Sequence, residues 1–110
     1  TDAIGIVVVD DSAVSRGVLT WYIEAALDLK VVASAPNGQV ALSTLERLSV
    51  DVVVLDIEMP VMDGMTALPL ILQRDPHVAV MMASTLTREN AAISLRCLQM
   101  GATECLAKPT

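Results

Sequence analysis

The sequence predicts an α/β fold: one doubly wound, parallel, five-stranded sheet with helices on its faces. Three observations carry that expectation. Five short apolar runs recur along the 110 residues, separated by segments with helical spacing. Strand–helix alternation with short connections implies parallel strands and right-handed crossovers. The apolar runs also close on polar residues, as buried parallel strands do where they reach the sheet edge.

Taken in order, Ile4–Val9 is the first strand and ends on Asp10-Asp11. Ser12 then caps a helix carrying Val14, Val18, Leu19, Tyr22, Ile23, Ala26 and Leu27 at mostly 3–4 spacing. Val31–Ala33 is a short second strand. Pro36-Asn37-Gly38 makes a turn, and Asn37 caps a helix holding Val40, Ala41, Leu42, Leu45 and Leu48. Val52–Leu55 is the third strand, closing on Asp56 with Glu58 just beyond. In the next helix Pro69 falls at the third helical position if Thr66 is the cap, so a late start or a kink is expected. Val78–Ala83 is the fourth strand and ends on Ser84. Thr87 caps a helix that stops at Gly101, and Cys105–Ala107 is a fifth strand ending on Lys108-Pro109.

Among the few allowed topologies, the flavodoxin-like order 2-1-3-4-5 puts the switch point between strands 1 and 3. Ligands of open α/β sheets bind outside the carboxyl ends of the strands. Asp10, Asp11, Asp56, Ser84 and Lys108 would then share one crevice. The pattern stops one helix short, so apolar surface is expected on the sheet face beside strands 4 and 5, with more protein beyond Thr110.

One compact domain is all that 110 residues support. Hydrophobic residues make up 54% and aromatics 2%, so the core must be aliphatic. The formal charge of −6 argues against binding nucleic acid or an anionic membrane. No apolar run approaches the ~20 residues of a membrane span. Cys97 and Cys105 lack metal-like spacing and read as reduced packing residues of a cytoplasmic protein. Trp21 reads as partly buried packing, Met59, Met62 and Met65 as loop and core filler, and His77 as lying at the opposite end of the sheet.

Converging carboxylates raise one another's pKa or demand a cation, and oxygen ligands with room for water suit Mg²⁺ or Mn²⁺. Asp56, alone at the tip of the middle strand, is the best nucleophile, since a carboxylate can take a phosphoryl group as an acyl phosphate. Lys108 and a divalent cation would neutralise the phosphoryl oxygens, with the Ser84 hydroxyl donating to a third.

At these residues the chain resembles the receiver domains of two-component response regulators. The matching set is Val9-Asp10-Asp11-Ser12, Leu55-Asp56-Ile57-Glu58-Met59-Pro60, Met62-Asp63-Gly64, Ser84 and Lys108-Pro109, and it covers essentially the whole chain, residues 1–110. The resemblance implies a CheY-like fold with Asp56 as phosphoacceptor. It implies that Asp11, Asp56 and the Glu58 backbone carbonyl ligate Mg²⁺, with Asp10 acting through water. It also implies a cis Lys108–Pro109 bond and a phosphohistidine donor on a sensor histidine kinase. The chain's own output domain beyond residue 110 and a phosphorylation-linked dimer are the further partners implied. A narrower likeness is to the receiver part of chemotaxis protein-glutamate methylesterases, carried by Leu55–Pro60, Met62–Gly64 and Ser84–Thr87 and compatible with Val32–Gly38. One position departs from the family: Cys105 stands where receivers place an aromatic residue whose rotamer follows the serine or threonine.

Three other classes compete. An aspartate-based phosphohydrolase would want a second Asp two residues after the nucleophile, where Glu58 stands. An FMN-binding flavodoxin-like protein would want a Ser/Thr-rich phosphate loop, not Asp10-Asp11. A degenerate receiver used only for binding would not need the complete acidic set.

Overall fold

The computed structural model describes residues 3–85 and 87–109. It contains β1 (Ile4–Val9), α1 (Ala13–Glu24), β2 (Leu29–Ala35), α2 (Gly38–Arg47), β3 (Val52–Asp56), α3 (Gly64–Arg74), β4 (Ala79–Ser84), α4 (Arg88–Gln99) and β5 (Glu104–Ala107). The five strands form one sheet in the order β2-β1-β3-β4-β5, all neighbours parallel. This is the expected flavodoxin-like architecture, with four helices among the described residues.

The pleat divides the core. Val7, Val9, Val53, Leu55, Val80 and Met82 pack with buried side chains of α2, α3 and α4. The intervening Ile6, Val8, Val54 and Ala83 turn to the other face, against Leu19 of α1. That second face is thinly covered. Val14, Val18, Trp21 and Tyr22 on α1 are exposed, as is Leu106 of β5. Apolar surface is therefore present at β5, as expected, and it extends to α1.

The caps at Ser12, Asn37 and Thr87 form as expected, each side chain accepting from the backbone N–H three residues on. Met100 and Gly101, at φ 114°, end α4. The third helix departs from expectation. Asp63, not Thr66, is its cap and accepts from Thr66 N at 2.8 Å. Pro69 thus lies inside the helix, where it removes the bond to the Met65 carbonyl. The early start follows from Gly64, whose N–H donates to the Ile57 carbonyl at 2.8 Å.

Four other expectations change. Helix α1 ends at Glu24, so Ala26 and Leu27 lie beyond it. Trp21 is 71% exposed and meets Tyr22 edge-on, because only Leu19 of that helix is buried against the sheet. The Lys108–Pro109 bond is trans, the isomer that X–Pro bonds favour by default. The second strand is longer than its apolar run because it alternates as an edge strand pairing with β1.

Candidate functional site

The sheet register sets the site. Val9 of β1 pairs with Leu55 of β3, so Asp10 and Asp56 emerge side by side at the switch point. Ala107 of β5 pairs with Ser84 of β4, and the Lys108 amide donates to the Ser84 carbonyl at 2.9 Å. From there the long lysine side chain reaches across β4. Its Nζ lies 2.9 Å from Asp10 Oδ2 and 3.0 Å from Asp56 Oδ1.

The two adjacent aspartates play different parts. Asp10 is fully buried. Its carboxylate accepts from the Ser12 amide at 2.9 Å and the Ser15 hydroxyl at 2.7 Å, besides Lys108. Burial alone would raise its pKa, but these donors outweigh it and hold the carboxyl below the usual range. Asp11 is exposed at the crevice mouth. Ligand oxygens of Asp10, Asp11 and Asp56 lie within 4.8 Å of one another, a spacing that fits a divalent cation bound by hard oxygen donors.

Asp56 is almost fully buried, and its pKa is pushed up to about 6. Desolvation is the main cause, Lys108 pulls the other way, and the charge on Asp10 adds to the rise. Burial would likewise discharge Lys108, but its bonds to Asp10 and Asp56 hold it above the ordinary lysine value. The ammonium therefore stays charged between the two carboxylates.

A crevice of about 450 Å³ opens above this group, lined by Asp11, Asp56, Glu58, Met59, Thr85, Asn90 and Lys108 among others. Glu58 is exposed at its rim. Ser84 is not among the lining residues. It borders a smaller groove of about 130 Å³ between α4 and β5, with Ser94 and Cys105. There the Cys105 thiol donates to the Ser94 carbonyl at 3.5 Å.

The floor of the site is shaped by backbone. A Cβ on Gly64 would come within 2.2 Å of the Asp56 carbonyl oxygen, so only glycine lets α3 start this close. Just before it, Val61 sits at φ 69°, and Met62 N donates to the Pro60 carbonyl at 2.7 Å. That is a γ-turn in a conformation rare for a β-branched residue, with a cost on the order of 1–3 kcal/mol.

Four contributors were not legible beforehand. Ser15 and Arg16 hold Asp10, the latter by donating to its carbonyl oxygen at 2.7 Å. Ser15 lies one helical turn beyond the cap, a spacing that would have pointed it back at Asp10. Thr85 and Asn90 line the crevice without any periodic signal. Of the other residues weighed, His77 is exposed before β4, at the far end of the sheet. Cys97 is buried in the core.

Known proteins resemble this chain in sequence and in fold. A family model described as the response regulator receiver domain matches residues 6–110. The chain is 57% identical to a protein-glutamate methylesterase/protein-glutamine glutaminase 1 of Paramagnetospirillum magneticum over 110 residues, which is 100% of this chain and 29% of that protein. It thus spans less than a third of the curated relatives it matches first. The response regulator domain of Thermotoga maritima CheB matches with TM-score 0.88 at 43% identity, over 97% of this chain and 79% of that one. A chain from the complex of the CheA3 P1 domain with CheY6 of R. sphaeroides matches with TM-score 0.83 at 36% identity, over 100% of this chain and 85% of that one. Sequence and strand order agree, and the chain belongs to the response regulator receiver domains.

Proposed function

We propose that Asp56 accepts a phosphoryl group from a phosphohistidine of a sensor histidine kinase and so switches an attached output. The observation that carries this reading is the Asp10–Lys108–Asp56 cluster beside exposed Asp11 at the carboxyl end of the sheet. One Asp56 oxygen attacks phosphorus, the phosphorus–nitrogen bond of the phosphohistidine breaks, and its electron pair returns to the imidazole. Lys108 follows the incoming negative charge, since its ammonium already sits 3.0 Å from the attacking carboxylate. Asp11, Asp56 and the Glu58 carbonyl would hold Mg²⁺, or Mn²⁺ in its place, with Asp10 acting through water. The cation supplies charge neutralisation for the phosphoryl oxygens.

The relatives that the chain matches in part are named as protein-glutamate methylesterases. On that basis the output is read as a chemotaxis methylesterase domain following this one, in the cytoplasm. No helix among the described residues is long and apolar enough to cross a membrane. The phosphohydrolase alternative loses ground to the family match and to Glu58, exposed at the rim where that chemistry wants an aspartic acid.

The test is direct. Incubation with Mg²⁺ and a small acyl phosphate should add one phosphoryl group to the intact mass. The adduct should be base-labile, and it should be absent in Asp56→Asn and when Mg²⁺ is chelated. An equal adduct on Asp56→Asn would refute the assignment.

A further inference from the structure

Asn90 occupies an unusual place for a polar residue in the first turn of a helix. Its backbone N–H is taken by the Thr87 cap at 3.0 Å. Its side chain, 2% exposed, turns inward to the crevice that holds Asp56 and Lys108. Both amide hydrogens go to one residue: Nδ2 donates to the Thr85 carbonyl at 3.1 Å and to the Thr85 hydroxyl at 3.1 Å. The carbonyl fixes the amide orientation, because only the NH₂ end can face it. Asn90 Oδ1 is left buried without a hydrogen-bond partner among the described residues. Such a group is uncommon and costly, so this arrangement is held at some expense in stability.

The residue before Thr85 is Ser84, whose backbone is held from the other side. Its carbonyl accepts from the Lys108 amide, and its side chain borders the groove between α4 and β5 with Ser94 and Cys105. The strand pleat sends Ser84 to the α4 side of the sheet, as it does Met82. A shift of the Thr85 backbone that carries the Ser84 hydroxyl toward a phosphoryl group on Asp56 would break both bonds to Asn90. Thr85 is exposed, so water can satisfy its groups once they are released.

We propose that Asn90 is a positioning residue that tethers Thr85, and through it keeps the Ser84 hydroxyl out of the Asp56 crevice until a phosphoryl group arrives. The inference rests on the phosphoacceptor reading and deepens it: the tether sets how much of the phosphoryl group's interaction energy goes into moving Ser84. A ligand shifts such an equilibrium only by its differential affinity for the two arrangements. Weakening the tether therefore raises apparent affinity for anything that mimics the phosphoryl group.

Beryllofluoride, which mimics the phosphoryl group on a carboxylate, is the probe. With Mg²⁺ saturating, Asn90→Leu, similar in volume, should bind it about three- to tenfold more tightly than the wild type. Mg²⁺ affinity measured alone should stay within about twofold, a split that a general loss of structure would not produce. Thr85→Val removes one of the two acceptors at an exposed position and should give a smaller tightening. It also decides the matter if Asn90→Leu does not fold. Unchanged or weaker beryllofluoride binding in folded Asn90→Leu, or in Thr85→Val when Asn90→Leu is unfolded, would overturn the tether, as would an equal change in Mg²⁺ affinity. If the wild type binds beryllofluoride no better than Asp56→Asn, it is the phosphoacceptor reading that fails.

Discussion

On the β1–β3–β5 side of the crevice the charged groups already touch, with Lys108 Nζ 2.9 Å from Asp10 and 3.0 Å from Asp56. On the β4 side, Ser84 faces the groove beside Cys105, and Thr85 stands at the crevice held by Asn90. One wall is preorganised for binding a cation and an anion. On the tether proposed above, the other moves before it contributes. The contrast has a physical origin. Opposite charges drawn from three strands lock one another in a poorly hydrated pocket, whereas hydroxyl groups near the surface exchange partners with water at little net cost. In the proposed phosphoryl transfer, preorganised charge would serve the transfer step and the Ser84 hydroxyl the response to it.

The sharpest way to break this contrast is within the charged wall. Asp11→Ala should weaken Mg²⁺ binding at least about tenfold, as loss of a metal ligand does. Lys108→Ala should leave Mg²⁺ binding nearly intact or tighten it, since it removes a competing cation, while slowing phosphorylation by about ten- to a hundredfold. Calorimetry with Mg²⁺ and mass-detected phosphorylation rates separate the two. Equal losses of Mg²⁺ affinity would contradict the division of roles.

The floor beneath both walls comes next. Gly64→Ala would drive a methyl group into the Asp56 carbonyl, so a cost of about 1–3 kcal/mol is expected together with slower phosphorylation. Urea unfolding at wild-type stability would show that α3 can retreat without penalty.

Acidity sharpens the comparison further. Burial raises Asp56 to about 6, so its charged form costs the fold something that a neutral carboxyl does not. That cost is absent below the unfolded value near 3.8 and full above about 6; the stability tied to this group is lost as pH rises through that window. Asp10, held low, contributes in the opposite sense, its stability being lost as pH falls. Asp56→Asn should therefore melt higher than the wild type at pH 7.5 without metal, on the order of 1–3 kcal/mol. Thermal scans of both proteins at pH 7.5 and pH 4 should show the gap closing at the lower pH; a constant gap would count against a raised Asp56.

The smallest effect is expected on the β4 side. Ser84→Ala should bind Mg²⁺ like the wild type and accept phosphoryl at a rate reduced only a few-fold, because Ser84 borders the groove between α4 and β5 beside Cys105. A loss as large as that of Lys108→Ala would mean that Ser84 already acts during transfer.

The strand ends were legible because apolar runs closed by Asp10-Asp11, Asp56, Ser84 and Lys108 report both burial and the edge where it stops, whereas the sheet order was a choice among the few topologies that strand–helix alternation allows. Caps at Ser12, Asn37 and Thr87 were legible for a local reason: the donor lies three residues from the acceptor. Asp63 capped α3 against expectation because the close approach of Gly64 to Asp56, a tertiary contact, outweighed the proline's preference for a first turn. Val61 gave no warning, since its strained turn is imposed by what flanks it. Trp21 was misplaced because aromatic size suggests burial, while Leu19 is the residue of α1 that is buried against the sheet. Asn90 was invisible for a similar reason: its place in the first turn of α4 is local, but its side chain bonds to Thr85 before the helix.

The central claim is that Asp56, among several crowded carboxyls, is the one that takes phosphorus. Borohydride reduction of the freshly phosphorylated protein converts an acyl-phosphorylated aspartate to homoserine, which peptide mapping then locates. The mark should fall on Asp56 alone and vanish when Mg²⁺ is withheld. A mark on Asp10, Asp11 or Asp63, or one indifferent to Mg²⁺, would contradict the account.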